Sequence, residues 1–188
     1  MPLNFSDCMR ELMRDIVGAC AELRHVELSR VAVGFSQARH TGLHGVFATT
    51  YPLRFPGGQR TVQRPHGTYE MPRVVLDGQE MLYVIEFRLP RFLDLAFDQK
   101  MVTVVHEMYH VSPAFDGTLR RFAGGKPYHT GSRRRYDAAM GTLVTAYLTA
   151  TARPQLHAFL RQDFKALREA HGGISGCRVR GMRPRRIA

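Results

Sequence analysis

Acidic residues are scarce in this chain: 16 Asp and Glu stand against 27 Lys and Arg, a formal charge of +11. Such an excess raises the odds of a polyanionic partner. It points either to a polyanion such as DNA or RNA, or to a genomic bias toward arginine, which supplies 24 of the cations. Cysteine is sparse as well. Cys8, Cys20 and Cys177 are odd in number and lack Cys-x-x-Cys spacing, which excludes a disulfide framework and an all-cysteine zinc site. Any bound metal must therefore be held mostly by histidine. No apolar run approaches the roughly 18 residues that span a bilayer, so no membrane role is expected. Met1-Pro2-Leu3-Asn4 lacks the basic-then-apolar order of a signal peptide, and the expectation is a cytoplasmic protein.

The 188 residues suffice for one domain with its own core. Met9, Leu12, Met13, Ile16, Cys20 and Leu23 recur at helical spacing behind Asn4 or Ser6, which predicts a helix over 5–23. Runs 31–35 and 46–51 are β-rich and read as neighbouring strands, and 52–78 reads as loop. Asp77-Gly78 joins Val74-Val75-Leu76 to Met81-Leu82-Tyr83-Val84-Ile85 as a hairpin. Helices are expected over 98–111, from Ser132, and from Pro154. The architecture is α+β, with a domain over 1–172 and a basic, flexible tail over 173–188.

The chemistry concentrates in His106-Glu107-Met108-Tyr109-His110. On a helix, imidazoles four apart point the same way and can share one metal, while Glu107 lies about a third of a turn round. That offset suits a base rather than a ligand: zinc acidifies a bound water, Glu107 takes its proton, and the hydroxide attacks a peptide carbonyl. Met101, Val104, Met108 and Val111 form the opposite, burial face of this helix. The competing reading is two core-edge histidines that fall beside a glutamate.

A catalytic zinc needs a third protein ligand. No glutamate follows until Glu169, too far on for the usual second-helix ligand. His129, in a glycine-containing loop before a helix, is the expected ligand. Asp116 is the alternative, six residues after His110, but Pro113 stands where a sharp turn usually needs glycine. Tyr128, Tyr136 and Arg133-Arg134-Arg135 are candidate donors to a developing oxyanion. The strand near Val46–Tyr51 is a candidate edge for an extended peptide. The other histidines (His25, His40, His44, His66, His157, His171) are read as surface or packing residues.

The order Tyr83-Val84-Ile85-Glu86-Phe87, then Val105 to Val111, then Phe115-Asp116-Gly117-Thr118-Leu119-Arg120-Arg121 resembles a family of His-Glu-x-x-His metallopeptidases from phages, bacteria and archaea. More distantly it is similar to the SprT and Spartan zinc peptidases. The resemblance covers about 31–136 and implies a small zincin-like domain with His106, His110 and a downstream histidine on zinc and Glu107 catalytic. Some relatives place that histidine directly after the Leu-Arg element, where this chain has Phe122. Spartan-type ligands are followed by glycine, where Thr130 stands here.

Arginines cluster over 120–135 and again over 178–186, with no acid between Asp116 and Asp137. Phosphate contact through these segments would suit a peptidase that acts on nucleic-acid-bound proteins. Three functions thus compete: a zinc peptidase, a zinc hydrolase of a non-peptide substrate, and a basic nucleic-acid-binding protein with a structural or vestigial zinc site.

Overall fold

A computed structural model describes residues 1–38, 42, 45–121 and 133–188, with the side chains of 133–137 outside that description. The chain opens with β1 (Leu3–Asn4) and α1 (Phe5–Ala19). Asn4 caps the helix, its side-chain oxygen accepting from the Asp7 N–H at 3.2 Å. The helical spacing in the sequence delivers Phe5, Met9, Leu12, Met13 and Ile16 to the core, each fully buried. Phe5 anchors this face, meeting Phe35, Phe87, Phe92 and Phe159 edge-on with centroids 5.7–6.3 Å apart.

Six strands follow: β2 (Val31–Gln37), β3 (Ala48–Pro52), β4 (Thr61–Arg64), β5 (Gly67–Glu70), β6 (Val75–Leu76) and β7 (Gln79–Glu80). They lead to β8 (Tyr83–Leu89). The central sheet has the order β2-β8-β3, with β8 parallel to β2 and antiparallel to β3. Runs 31–35 and 46–51 are therefore strands but not neighbours. The reason lies in β8, which is buried nearly end to end and takes the middle position, its one charged pair, Glu86 with Arg88, meeting on the second face. The Asp77-Gly78 turn does make a hairpin, yet only between the two-residue β6 and β7. A further hairpin, β4 with β5, occupies the stretch expected to be loop. Its strands are polar and partly exposed, so no apolar alternation marked them.

Beyond the sheet come α2 (Phe97–Tyr109), α3 (Arg133–Ala150), a 3-10 segment (Pro154–Arg161) and α4 (Phe164–His171). The single helix expected from Pro154 is thus broken. Asp163 starts a new one by accepting from the Ala166 N–H at 2.7 Å. One face of the central sheet (Val31, Val33, Phe35, Tyr83, Ile85, Phe87) shares a core with α1, α2 and α3.

The segment expected to be a flexible tail runs along the fold instead. β9 (Ile174–Ser175) pairs in parallel with β1, and β10 (Arg185–Arg186) pairs with β5. Between them the Phe35 N–H donates to the Cys177 carbonyl at 3.1 Å, and Val179 and Met182 pack on Ala32, Leu53, Met81 and Val84. Backbone pairing at both ends and apolar contact between them convert a basic terminus into a strap over the second face of the sheet.

Candidate metal centre

Helix α2 carries His106 on its last turn and His110 as its C-terminal cap. Met101, Val104, Met108 and Val111 are fully buried, so the expected burial face is the observed one. That face fixes the helix rotation and leaves His106 and His110 half-buried on the other side. Their Nε2 atoms lie 3.0 Å apart, with ring centroids at 4.8 Å. Two nitrogens at 2.0–2.1 Å from a tetrahedral zinc would be about 3.3 Å apart, so the pair fits a shared ion with little adjustment. One neutral imidazole can also donate to the other across the same gap.

Glu107 is 7% exposed. Its neighbour is Thr50, on β3, whose hydroxyl oxygen lies 2.7 Å from Glu107 Oε2 and 2.8 Å from the Glu107 carbonyl oxygen. One hydroxyl proton cannot serve both acceptors at once. When the carboxylate is ionised, Thr50 donates to it. When the carboxyl is protonated, it can donate to Thr50, which turns its own proton to the carbonyl. The threonine therefore follows either state. Burial pushes the Glu107 carboxyl up to about 7, while the hydrogen bonds from Thr50 pull the other way. Sequence reasoning passed over Thr50, which is 57 residues away and belongs to no local motif.

After α2 the chain folds back on itself. Val111 bridges Leu119, the Arg120 N–H donates to the His110 carbonyl at 2.8 Å, and Arg120 Nε donates to the Tyr109 carbonyl at 2.7 Å. The Arg120 guanidinium also lies 4.0 Å from the Tyr109 ring centroid. Tyr83 braces this return, its hydroxyl donating to the Thr118 carbonyl at 2.8 Å and accepting from the Gly117 N–H at 3.0 Å. Burial raises the Tyr83 phenol to about 12. His25 reaches the same end of α2, with Nε2 3.4 Å from the Val111 carbonyl oxygen. Burial lowers its pKa and the Arg120 charge adds to that, against the hydrogen bond to Val111.

Asp116 is engaged in its own turn. Its Oδ1 accepts from Thr118 N at 3.1 Å and Thr118 Oγ1 at 2.7 Å. Burial would raise its pKa, but the hydrogen bonds from Thr118 and Ser112 outweigh that and hold it low. Among the described residues no three His, Cys, Asp or Glu side chains are placed to hold one metal ion, so Asp116 does not join the histidine pair as a ligand. His129 and Tyr128 lie outside the described residues, as does the side chain of Tyr136. Of the other histidines, His157 is buried between Phe97 and Tyr147, a packing role.

Comparison with protein-family models, with curated proteins and with solved structures finds no match to this chain. Among the described residues, no helix is long and apolar enough to cross a membrane.

Proposed function

We propose that this chain is a zinc-dependent metallopeptidase of zincin-like build. The observation that carries the reading is the meeting of four side chains from two elements: His106 and His110 with Nε2 atoms 3.0 Å apart, and the buried Glu107 tied to Thr50 on β3. His106 and His110 would hold zinc with His129 as third ligand. The interval that contains His129 follows Arg120, which is anchored on His110, and precedes α3, which packs against α2. When bound, zinc would act as a Lewis acid toward a carbonyl and lower the pKa of a water toward about 7.

Thr50 occupies Oε2 of Glu107, which leaves Oε1 to take the proton of the attacking water and deliver it to the leaving amine. Among the described residues strand β3 is the edge of its sheet on this side, so an extended peptide can add to it beside Glu107. That geometry favours a peptide over a non-peptide substrate.

Elemental analysis of protein purified without chelators should give one zinc per chain, and His106→Ala or His110→Ala should abolish it. Glu107→Gln should keep the metal and lose hydrolysis of a denatured protein substrate. Metal-free wild-type protein, or full activity in Glu107→Gln, would overturn the reading.

A second reading, a nucleic-acid partner, has support from the strap. Val179 and Met182 face the sheet, while Arg178, Arg180 and Arg183 are exposed, so this stretch presents a fixed row of guanidiniums.

A further inference from the structure

We propose that a cavity between α1 and the β6–β7 hairpin binds a small amphipathic carboxylate: an anionic head on Arg10 and Arg14 and a short apolar body beneath. The cavity measures about 360 Å³, at the small end of ligand sites. It shares no residue with the candidate metal centre, and the proposal is independent of the peptidase reading.

The apolar side chains that line it are Val17, Val26, Leu28, Val31, Leu76 and Met81. They come from α1, the approach to β2, and the hairpin with its exit, so the floor is assembled from distant parts of the sequence. Arg10 and Arg14, one turn apart on α1, supply the charge. Arg14 pairs with Glu11, and Arg10 makes a long contact to Asp7 at 4.0 Å. Arg10 Nε is buried and has no hydrogen-bond partner among the described residues. That nitrogen is closed to the cavity, so the terminal nitrogens of Arg10 and Arg14 are the groups a carboxylate there would meet through charge-assisted bonds.

The single acid on the lining is Asp77, on the hairpin turn, with Ser29 and Gln79 as the other polar groups. Two guanidiniums against one carboxylate leave the wall net positive, which selects an anion over a cation. The apolar floor selects against inorganic anions, since they would desolvate without burying any carbon.

Calorimetric titration of the full chain with straight-chain carboxylates, acetate through decanoate, and with the matching alcohols tests this. Affinity for the carboxylates should rise about fourfold per methylene until the cavity is full, then stop rising. Alcohols of equal length should bind at least tenfold more weakly. Arg10→Gln should reduce carboxylate affinity to the alcohol level and leave alcohol affinity unchanged. Should Arg10→Gln fail to fold, Arg14→Gln reads the same charge preference, and Leu76→Trp, which fills the cavity from the partly exposed hairpin, should abolish binding of both series. No saturable binding, equal affinity for alcohols and carboxylates, or a rise with chain length that never levels off would each overturn the proposal. So would carboxylate binding that survives both Arg10→Gln and Leu76→Trp.

Discussion

At the scale of single residues, Thr50 and Glu80 make the sharpest claims. Thr50→Val keeps the β-branched shape on β3 and removes the hydroxyl that meets Glu107. Loss of a partner at this remove from a metal typically costs about 10–100-fold in metal affinity or activity. Thr50→Val should therefore fold and keep zinc, while kcat on a peptide substrate falls by roughly that factor with KM little changed. Unchanged kcat would show that Glu107 needs no such support. Glu80 is an acid enclosed by three arginines. It lies 3.0 Å from Arg54, 2.7 Å from Arg60 and 3.9 Å from Arg73. Burial would raise its pKa, but the hydrogen bond from Arg54 and the three positive charges outweigh burial and hold it below the usual carboxylate range. A depressed folded pKa contributes stability that is fully present above the unfolded value of about 4.3 and is lost as pH falls through the folded value. Glu80→Gln should thus destabilise by about 1–3 kcal/mol at pH 7, because Arg54, only 11% exposed, loses its charged acceptor. Urea unfolding should show that deficit shrink as pH falls below the usual carboxylate range. A deficit that stays constant with pH would mean the charge itself contributes nothing.

At the scale of elements, what the sequence disclosed depended on whether a signal was local. The α2 stripe of Met101, Val104, Met108 and Val111 is periodic, so both the helix and its buried face were readable. The Asn4 cap and the α1 core residues were readable on the same grounds. Pairing partners were not. Nothing in Val31-Ala32-Val33-Gly34-Phe35 announces that β8, some 50 residues on, will lie beside it rather than β3. The pairing of β9 with β1 joins residues from opposite ends of the chain, so composition alone made the arginine-rich terminus look loose. Gly34 now has a structural reason. A Cβ there would lie 2.8 Å from the Cys177 carbonyl oxygen, so the glycine allows the strap to approach β2. Gly34→Ala should lift the strap at a cost of about 1–3 kcal/mol, as overpacking does. The Phe35 amide, which donates to Cys177, should exchange faster, along with the amides of 174–179. Zinc content should not change, since α2 lies on the sheet's other face. Unaltered exchange over 174–179 would mean that the strap does not depend on this close approach.

At the scale of the whole molecule, the question is what the charge of +11 is for. A loose tail would offer its arginines to any phosphate in reach, and its deletion would be a clean test. A strap changes the test, because deletion would also strip Val179 and Met182 from Ala32, Leu53, Met81 and Val84 and uncover the apolar face beneath. Neutralising exposed arginines while leaving the inward residues intact separates charge from packing. Arg180, Arg183 and Arg185 are all exposed and suit this purpose. If they bind phosphates, log affinity for DNA should fall linearly with log salt. The triple change to glutamine should flatten that slope by about 2 to 3, at roughly 0.7–0.9 for each phosphate no longer neutralised. Base sequence should matter little, since arginines on a strap reach the backbone without a helix or ribbon placed in a groove. Zinc content and urea stability should stay at wild-type levels, which marks the effect as electrostatic. Gel-shift titrations at two or more salt concentrations decide the matter. An unchanged slope would remove the strap from any nucleic-acid surface, and no binding to single- or double-stranded DNA or RNA at low salt would assign the arginine excess to composition alone. Either outcome leaves the histidine pair and Glu107 to be judged on the metal, because the strap and α2 pack on opposite faces of the central sheet.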